Sequence, residues 1–210
     1  MPATLAQLNA FIAYLEQQAN VRTIGGVTYG QPYIWGGQHT SLTPGNYQSV
    51  INSMESETIN RVYVKNYCKR LFDAGETQLW GYDCSGLGMW FWQNLEHVYS
   101  GDLNANGMMG YTTLYPDDPK RGWWLFKVAS STGRAYHVGY MVDNTHTIEA
   151  LGRADGVVKR TFSRSNWHKW GIPKILKEVI PKPGDPGHTW VHFMSNYIWA
   201  SGGNYFFPQH

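Results

Sequence analysis

The chain has 210 residues, a formal net charge of +2 and only 15% charged residues. This length suits one domain with a sizeable core, with or without an appendage. It contains no block of Lys and Arg, and no apolar run approaches the ~18 residues that span a membrane, so we expect neither nucleic acid binding nor a membrane span. The 10 Trp and 14 Tyr fit either a carbohydrate- or wall-facing protein or a tightly packed core.

Helical patterns fill the first half of the sequence. Residues 4–19 place apolar side chains on one face, with Thr4 as the candidate N-cap. Residues 47–54 predict a short helix, and residues 55–74 predict a longer one that ends at Gly75. The apolar face expected of this longer helix consists of Ile59, Val62, Tyr63, Tyr67, Leu71 and Phe72.

Strand patterns follow in the second half. The strand predicted at residues 136–143 alternates two sets of side chains. One set is Val138, Tyr140 and Val142, and the other is His137, Gly139 and Met141. Its hairpin partner is predicted at residues 145–150, and the remaining strands at 123–128, 157–162 and 172–180. Helices followed by antiparallel strands indicate an α+β fold with the helices on one side of the sheet.

A Pro- and Gly-rich cluster at residues 181–187 is a candidate boundary. We expect residues 1–180 to form one domain. Residues 181–210 form an aromatic-rich extension, which we expect to pack on that domain.

The stretch Gly81-Tyr82-Asp83-Cys84-Ser85-Gly86-Leu87 carries the clearest chemical signal, because it precedes an apolar run at residues 88–98 that predicts a buried helix. Asp83 is a natural N-cap, which puts Cys84 in the first turn. Unpaired N–H groups and the helix dipole there favour a thiolate, so we expect a lowered pKa and a nucleophile. A buried structural cysteine is the alternative. The other cysteine, Cys68, is expected to be a reduced core thiol on a helix. A Cys68–Cys84 disulfide is the alternative, and it would disable Cys84 as a nucleophile.

A cysteine nucleophile needs a base and a group that orients the base. His137 is the best base among eight histidines, since Gly139 leaves room on its face of the strand. Glu149 can lie near it across the hairpin and accept the imidazole Nδ1–H, which would favour a thiolate–imidazolium pair. The alternatives are a structural histidine and a surface cross-strand glutamate, with His146 as a weaker candidate base.

The segment Asp102-Leu103-Asn104-Ala105-Asn106-Gly107 matches the start of a calcium loop. Its twelfth position is Thr113, which supplies no bidentate carboxylate. We therefore expect a turn here, with no metal and no other cofactor.

Three ordered segments resemble the NlpC/P60 family of bacterial cell-wall cysteine peptidases. They are Tyr33-Ile34-Trp35-Gly36-Gly37, Asp83-Cys84-Ser85-Gly86-Leu87 and His137-Val138-Gly139-Tyr140. Glu149-Ala150 follows twelve positions after the histidine, and the resemblance spans roughly residues 5–175. It implies a papain-like fold, with N-terminal helices packed on a central antiparallel sheet and the nucleophile at a helix N-terminus. It also implies hydrolysis of peptidoglycan stem peptides, usually between γ-linked D-glutamate and the diamino acid.

The resemblance also implies roles for individual residues. Cys84 would attack the carbonyl with its own N–H as oxyanion donor, His137 would act as base and then as acid, and Glu149 would orient His137. The residues expected to contact substrate are Tyr33, Trp35, Asp83 and Ser85. The family's third residue is most often His and sometimes Asn or Gln, so Glu149 is a departure. The segment between Gly37 and Gly81 is also longer than in compact members.

Two other readings stay open at this level. One is a non-catalytic wall-binding or virion structural module on the same fold, and the other is an amidase or acyl transfer enzyme. Residues 148–158 are similar to members found in phages and gut Firmicutes. Because residues 1–20 do not resemble a signal peptide, we expect a phage-type lysin released by a holin, a virion-associated protein, or another secretion route. We expect a monomer whose partner is the stem peptide.

Overall fold

The computed structural model describes residues 2–183. Its first helix, α1 (Leu5–Gln18), begins at Thr4 as predicted. The Thr4 hydroxyl accepts the N–H of Gln7 at 3.2 Å, and the Gln7 side chain accepts the N–H of Thr4 at 2.8 Å. This reciprocal capping box satisfies two N–H groups that a helix start leaves unpaired. The buried face of α1 carries Leu8, Phe11, Ile12, Tyr14, Leu15 and Gln18.

Two more helices follow, α2 (Tyr47–Met54) and α3 (Thr58–Asp73), with Gly75 at φ 102° after the end of α3. The apolar face predicted for α3 is partly wrong, since Ile59 is 55% exposed and Val62 and Tyr63 are also exposed. The buried residues of α3 are Val64, Tyr67, Cys68 and Leu71. Both sides of α3 carry apolar residues, and packing against residues such as Ile34, Leu42 and Ile51 selects the side that contains Cys68.

Four short strands lie in the first half, where the sequence patterns predicted none. They form two antiparallel pairs: β1 (Arg22–Ile24) with β2 (Val27–Tyr29), and β3 (Gln38–Leu42) with β4 (Leu79–Tyr82). Strand β4 leads directly into α4 (Cys84–Trp90). A π-helical turn, Phe91–Leu95, ends this helical run earlier than the predicted 98, and Leu95 is 51% exposed rather than buried.

The main sheet has six strands in the order β5-β10-β6-β7-β8-β9, and every neighbouring pair is antiparallel. The strands are β5 (Thr112–Leu114), β6 (Trp124–Val128), β7 (Ala135–Met141), β8 (His146–Gly152), β9 (Gly156–Thr161) and β10 (Lys169–Pro173). The strand predicted at 172–180 is therefore misplaced. It begins earlier because Lys169 pairs with Phe126, and it ends at Pro173, which lacks an N–H donor. A short helix α5 (Ala105–Gly110) precedes β5.

The core joins the helices to the sheet. Phe11 of α1 packs on Trp92 and Tyr140 with ring centroids 4.8 and 5.5 Å apart. Strand β7 is buried along its length apart from Tyr136, so both of its faces are covered. This arrangement confirms the predicted α+β class of helices on an antiparallel sheet.

The elements described above lie in the compact unit Met1–Ile180. Within residues 2–183 no helix combines the length and apolar character needed to cross a membrane. The predicted packing of the C-terminal extension concerns residues that lie almost entirely outside the described ones, and it stays a prediction.

Candidate active site

Cys84 is the first residue of α4, as predicted. The Asp83 carboxylate caps the helix, since its Oδ1 accepts the N–H of Gly86 at 2.6 Å and the hydroxyl of Ser85 at 3.0 Å. The N–H of Asp83 donates to the carbonyl of Gly37 at 2.8 Å, which ties the helix start to the glycine pair before β3. Gly86 is required there because a β-carbon would overlap that same Gly37 oxygen.

The predicted lowering of the Cys84 pKa is wrong. Burial of the thiol and the nearby charge of Asp83 raise the pKa of Cys84 to about 11, above the ordinary value of 9.0. Backbone N–H groups of Val138, Ser85 and Cys84 act in the opposite direction without reversing the shift. The thiol is only 8% exposed, so loss of hydration outweighs the helix start. A thiolate at neutral pH must therefore come from transfer of the proton to a base.

Strand β7 holds the cysteine from the sheet side. The backbone N–H of Val138 acts to lower the pKa of the Cys84 thiol, and the Tyr140 hydroxyl donates to the Cys84 carbonyl at 2.8 Å. The same hydroxyl accepts the N–H of Gly88 at 3.2 Å. Since Val138 directly follows His137, these contacts place the sulfur beside the backbone of the candidate base.

His137 is 8% exposed, and its Nε2 lies 2.6 Å from Oε2 of Glu149. The predicted pairing of the two residues across the hairpin is present, but the predicted atom, Nδ1, is wrong. The imidazole is turned so that Nε2 meets the carboxylate, which leaves Nδ1 as the ring nitrogen that can accept a proton from a thiol. The imidazole ring is therefore turned the opposite way from the prediction. This orientation still favours proton transfer from the Cys84 thiol to His137, now through Nδ1.

Glu149 is fully buried, so the reading of Glu149 as a surface residue is also wrong. Lys127 Nζ lies 3.2 Å from Oε2 and an Arg160 Nη lies 3.0 Å from Oε1. Burial pulls the pKa of Glu149 up, but the hydrogen bond and charge of His137 and the charges of Lys127 and Arg160 outweigh it and hold the pKa below its ordinary value. The carboxylate is therefore ionised at neutral pH, compensated by cations on both oxygens.

Trp167 covers this pair. Its ring stacks on the His137 imidazole with centroids 5.9 Å apart and planes 22° apart, and Lys127 Nζ lies 4.9 Å from a Trp167 ring centroid. The space that Gly139 was predicted to leave open is filled by the Trp167 ring, which a β-carbon at Gly139 would strike. This indole shields the His137–Glu149 bond from water and so strengthens it.

The predicted substrate-contacting residues lie around the cysteine but differ in accessibility. Tyr33 is buried and its hydroxyl interacts with the charges of Cys84 and Asp83, whereas Trp35 is 62% exposed. Burial raises the pKa of the Tyr33 hydroxyl, and the charges of Cys84 and Asp83 act in the same direction, so it is a neutral hydrogen-bonding group. Burial also raises the pKa of Asp83, although the hydrogen bond from the Gly86 N–H acts to lower it. Ser85 is half-buried and bonded to Asp83.

A comparison with known protein families identifies the family of this chain. The sequence model of the NlpC/P60 family matches residues 30–174, a span that contains every candidate site residue. The chain belongs to the NlpC/P60 family. Membership in this family supports a hydrolase of the bacterial cell wall.

Two solved structures are similar to this NlpC/P60 chain. The P60 domain of an antigen from M. avium subspecies paratuberculosis has 17% sequence identity and a TM-score of 0.49, covering 81% of this chain and 96% of that one. The peptidoglycan hydrolase RipB from Mycobacterium tuberculosis has 19% identity and a TM-score of 0.47, covering 82% of this chain and 68% of that one. No curated protein matches the sequence.

Sequence reasoning missed two charged residues beside the NlpC/P60 motifs. Glu55 is buried, with its Oε1 accepting the N–H of Trp35 at 2.9 Å, and its Oε2 lies 2.8 Å from Nε of Arg153. The two residues are 98 positions apart, so no local pattern connects them. The sequence signal that could have identified Arg153 is its position shortly after Glu149, between the strands predicted at 145–150 and 157–162.

The calcium-like segment serves a different purpose. The Asn104 side chain accepts the N–H of Gly107 at 3.0 Å and caps α5. Asp102 instead lies 3.4 Å from the Gln38 side chain. In the part of the chain that the structure describes, no group of three or more His, Cys, Asp or Glu is arranged to hold a metal ion.

Proposed function

We propose that this NlpC/P60 domain is a cysteine endopeptidase that hydrolyses peptidoglycan stem peptides. Cys84 is the nucleophile, His137 the base and then the acid, and Glu149 the residue that orients His137. The observation that carries the proposal is the 2.6 Å bond from His137 Nε2 to the buried, ionised Glu149. His137 lies on β7, the strand whose Tyr140 hydroxyl also donates to the Cys84 carbonyl. A structural cysteine would not need a histidine paired with a buried carboxylate on the strand that contacts it.

The proposed reaction begins with transfer of the thiol proton to Nδ1 of His137. The Cys84 sulfur then attacks the peptide carbonyl carbon, and the N–H of Cys84 at the helix start donates to the developing oxyanion. His137 next returns the proton to the leaving amine, which breaks the C–N bond and leaves a thioester. Water, deprotonated by His137, hydrolyses that thioester and frees the thiol.

Glu149 contributes through the imidazole rather than through the substrate. Its negative charge stabilises the imidazolium that forms when His137 takes the proton, and its Oε2 holds Nε2 so that Nδ1 stays available for that proton. Lys127 and Arg160 keep the carboxylate ionised inside the protein. Their presence supports glutamate as a replacement for the neutral third residue found in many family members.

The bond that we propose for cleavage lies between γ-linked D-glutamate and the diamino acid. Digestion of defined muropeptides with mass measurement of the products tests this directly, because each possible bond gives different masses. Cleavage between muramic acid and L-alanine would support the amidase instead. Binding to sacculi with no product would support the non-catalytic wall-binding module. The release route, including a phage origin, remains a separate prediction.

A further inference from the structure

A charged cluster lies at the edge of the candidate active site and has no part in the proposed proton transfers. It consists of Glu55, Arg153 and the two aromatic residues Tyr33 and Trp35. Glu55 is only 2% exposed, and its two oxygens are occupied by the Trp35 N–H at 2.9 Å and Arg153 Nε at 2.8 Å. Since both oxygens are bonded, Glu55 has little capacity left for a ligand and acts to fix Arg153.

Arg153 and the nucleophile Cys84 both lie near Tyr33. Arg153 follows directly after β8, the strand that carries Glu149. Its guanidinium carbon is 5.4 Å from the Tyr33 ring centroid and 5.9 Å from that of Trp35. The Tyr33 hydroxyl interacts with the charges of both Cys84 and Arg153, so Tyr33 lies near both the thiol and the guanidinium.

The guanidinium keeps capacity for a ligand. Within residues 2–183 its hydrogen bond is made through Nε, and the Arg153 side chain is 25% exposed. An arginine anchored through Nε still presents two Nη groups, whose N–H donors fit the two oxygens of a carboxylate. The exposed Trp35 ring and the buried Tyr33 ring flank it and limit its movement.

We propose that Arg153 binds a free carboxylate of the stem peptide next to the scissile bond, and so selects substrates in which that group is not amidated. This inference rests on the proposed function. A γ-linked D-glutamate keeps its α-carboxylate free. A diamino acid that is also a dicarboxylic acid, or that ends the peptide, carries a free carboxylate of its own. Both present the same chemistry to Arg153, at positions close to the carbonyl that Cys84 attacks.

Four stem peptides test the proposal with the wild-type protein. One pair differs by amidation of the D-glutamate α-carboxylate, and the other pair by amidation of the carboxylate on the diamino acid. We expect one of the free forms to be cleaved with about 10- to 100-fold higher kcat/KM than its amide, the range for charge-assisted hydrogen bonds. The pair that shows the difference identifies the carboxylate. Equal rates within both pairs would overturn the assignment of Arg153 alone, whereas no cleavage of any peptide would overturn the proposed function as well.

Variants then assign the selectivity to Arg153. Because Arg153→Gln alone leaves a buried carboxylate unpaired, the double variant Glu55→Gln/Arg153→Gln is the better test. We expect it to cleave the free and amidated peptides with kcat/KM values within about threefold of each other, because kcat/KM for the free form falls. Arg153→Lys should retain part of the preference, and Lys69→Gln, on the exposed face of α3, should retain all of it. A double variant that keeps the full wild-type preference would overturn the proposal.

Discussion

His137 Nε2 and Glu149 Oε2 lie 2.6 Å apart inside the sheet, with Glu149 fully buried. The register of the hairpin sets this relationship, because Tyr140 pairs with Ile148 and so brings Glu149 opposite Gly139, two residues from His137. The bond commits Nε2 and leaves Nδ1 for the Cys84 thiol. The proposed chemistry depends on a buried carboxylate that holds one ring nitrogen and leaves the other available to the thiol.

The first prediction concerns the charge of Glu149. Glu149→Gln keeps the shape and a hydrogen-bonding oxygen but cannot stabilise an imidazolium, so kcat/KM on muropeptides should fall by about 10²-fold or more. Because Lys127 and Arg160 lose their counter-charge in this variant, its stability should fall, and the rate should be measured well below its melting temperature. Glu16→Gln, in an exposed ion pair with Lys159, is the control. Wild-type kcat/KM in Glu149→Gln would show that the charge has no catalytic part.

The second prediction concerns Lys127 and acid stability. The pKa of Glu149 lies below its ordinary value of 4.5 in the folded protein, so its contribution to stability is present above that pH and is lost as the pH falls through the folded-state pKa. Lys127→Met removes one stabilising cation, which raises that pKa and moves acid unfolding to higher pH. Urea unfolding between about pH 2 and pH 7 measures the shift. The exposed Lys159→Met should unfold at the same pH as wild type, and equal curves for both variants would contradict the account.

The third prediction concerns alkaline pH. The folded-state pKa is about 11 for Cys84 and about 12 for Cys68, both raised above 9.0 chiefly by burial. The unfolded chain therefore ionises first, and the contribution of each thiol is present below pH 9.0 and is lost as the pH rises through its folded-state value. Cys84→Ala removes one of the two thiols, so wild type should lose about 2 kcal/mol more unfolding free energy than the variant by pH 11. Equal losses of unfolding free energy in wild type and Cys84→Ala would contradict burial as the cause of the raised Cys84 pKa.

The fourth prediction concerns the start of α4. Gly86→Ala places a β-carbon against the backbone oxygen of Gly37, which cannot move away as a flexible side chain could. We expect a lower melting temperature and loss of hydrolysis, because the helix start and Cys84 are displaced together. Gly110→Ala at the end of α5 meets no atom within 4 Å and should leave both properties unchanged or raise stability slightly. Similar behaviour of the two alanine variants in thermal unfolding would contradict the close approach of Gly37 and Gly86.

Local sequence rules predicted the parts of the structure that are set locally. The Thr4 cap, the Asp83 cap and the start of α4 at Cys84 follow from side chains that bond backbone N–H groups two or three residues away. The predicted hairpin brought Glu149 near His137 in general terms. The observed register, in which Tyr140 pairs with Ile148 and β8 begins at His146 rather than at 145, places both side chains on the same face of the sheet.

Features that depend on distant contacts could not be predicted. The buried side of α3 depends on partners elsewhere in the chain, because Val62 and Val64 are equally apolar and lie on different sides. The Cys84 pKa depends on how completely the fold covers the thiol, and the ring orientation of His137 depends on the position of the Glu149 oxygens. The Glu55–Arg153 pair joins segments that are 98 residues apart. Each of these results from tertiary packing, which a local pattern does not contain.

Digestion of purified sacculi by a Cys84→Ala variant tests the central claim most directly, with release of new amino ends and product masses as the measurement. Cys68→Ala is the matched control, since it removes the other buried thiol, which lies on α3. We predict that wild type and folded Cys68→Ala release γ-D-glutamyl peptides, and that Cys84→Ala releases none while keeping the wild-type fold by circular dichroism. Release of the same new amino ends by Cys84→Ala would contradict a cysteine peptidase.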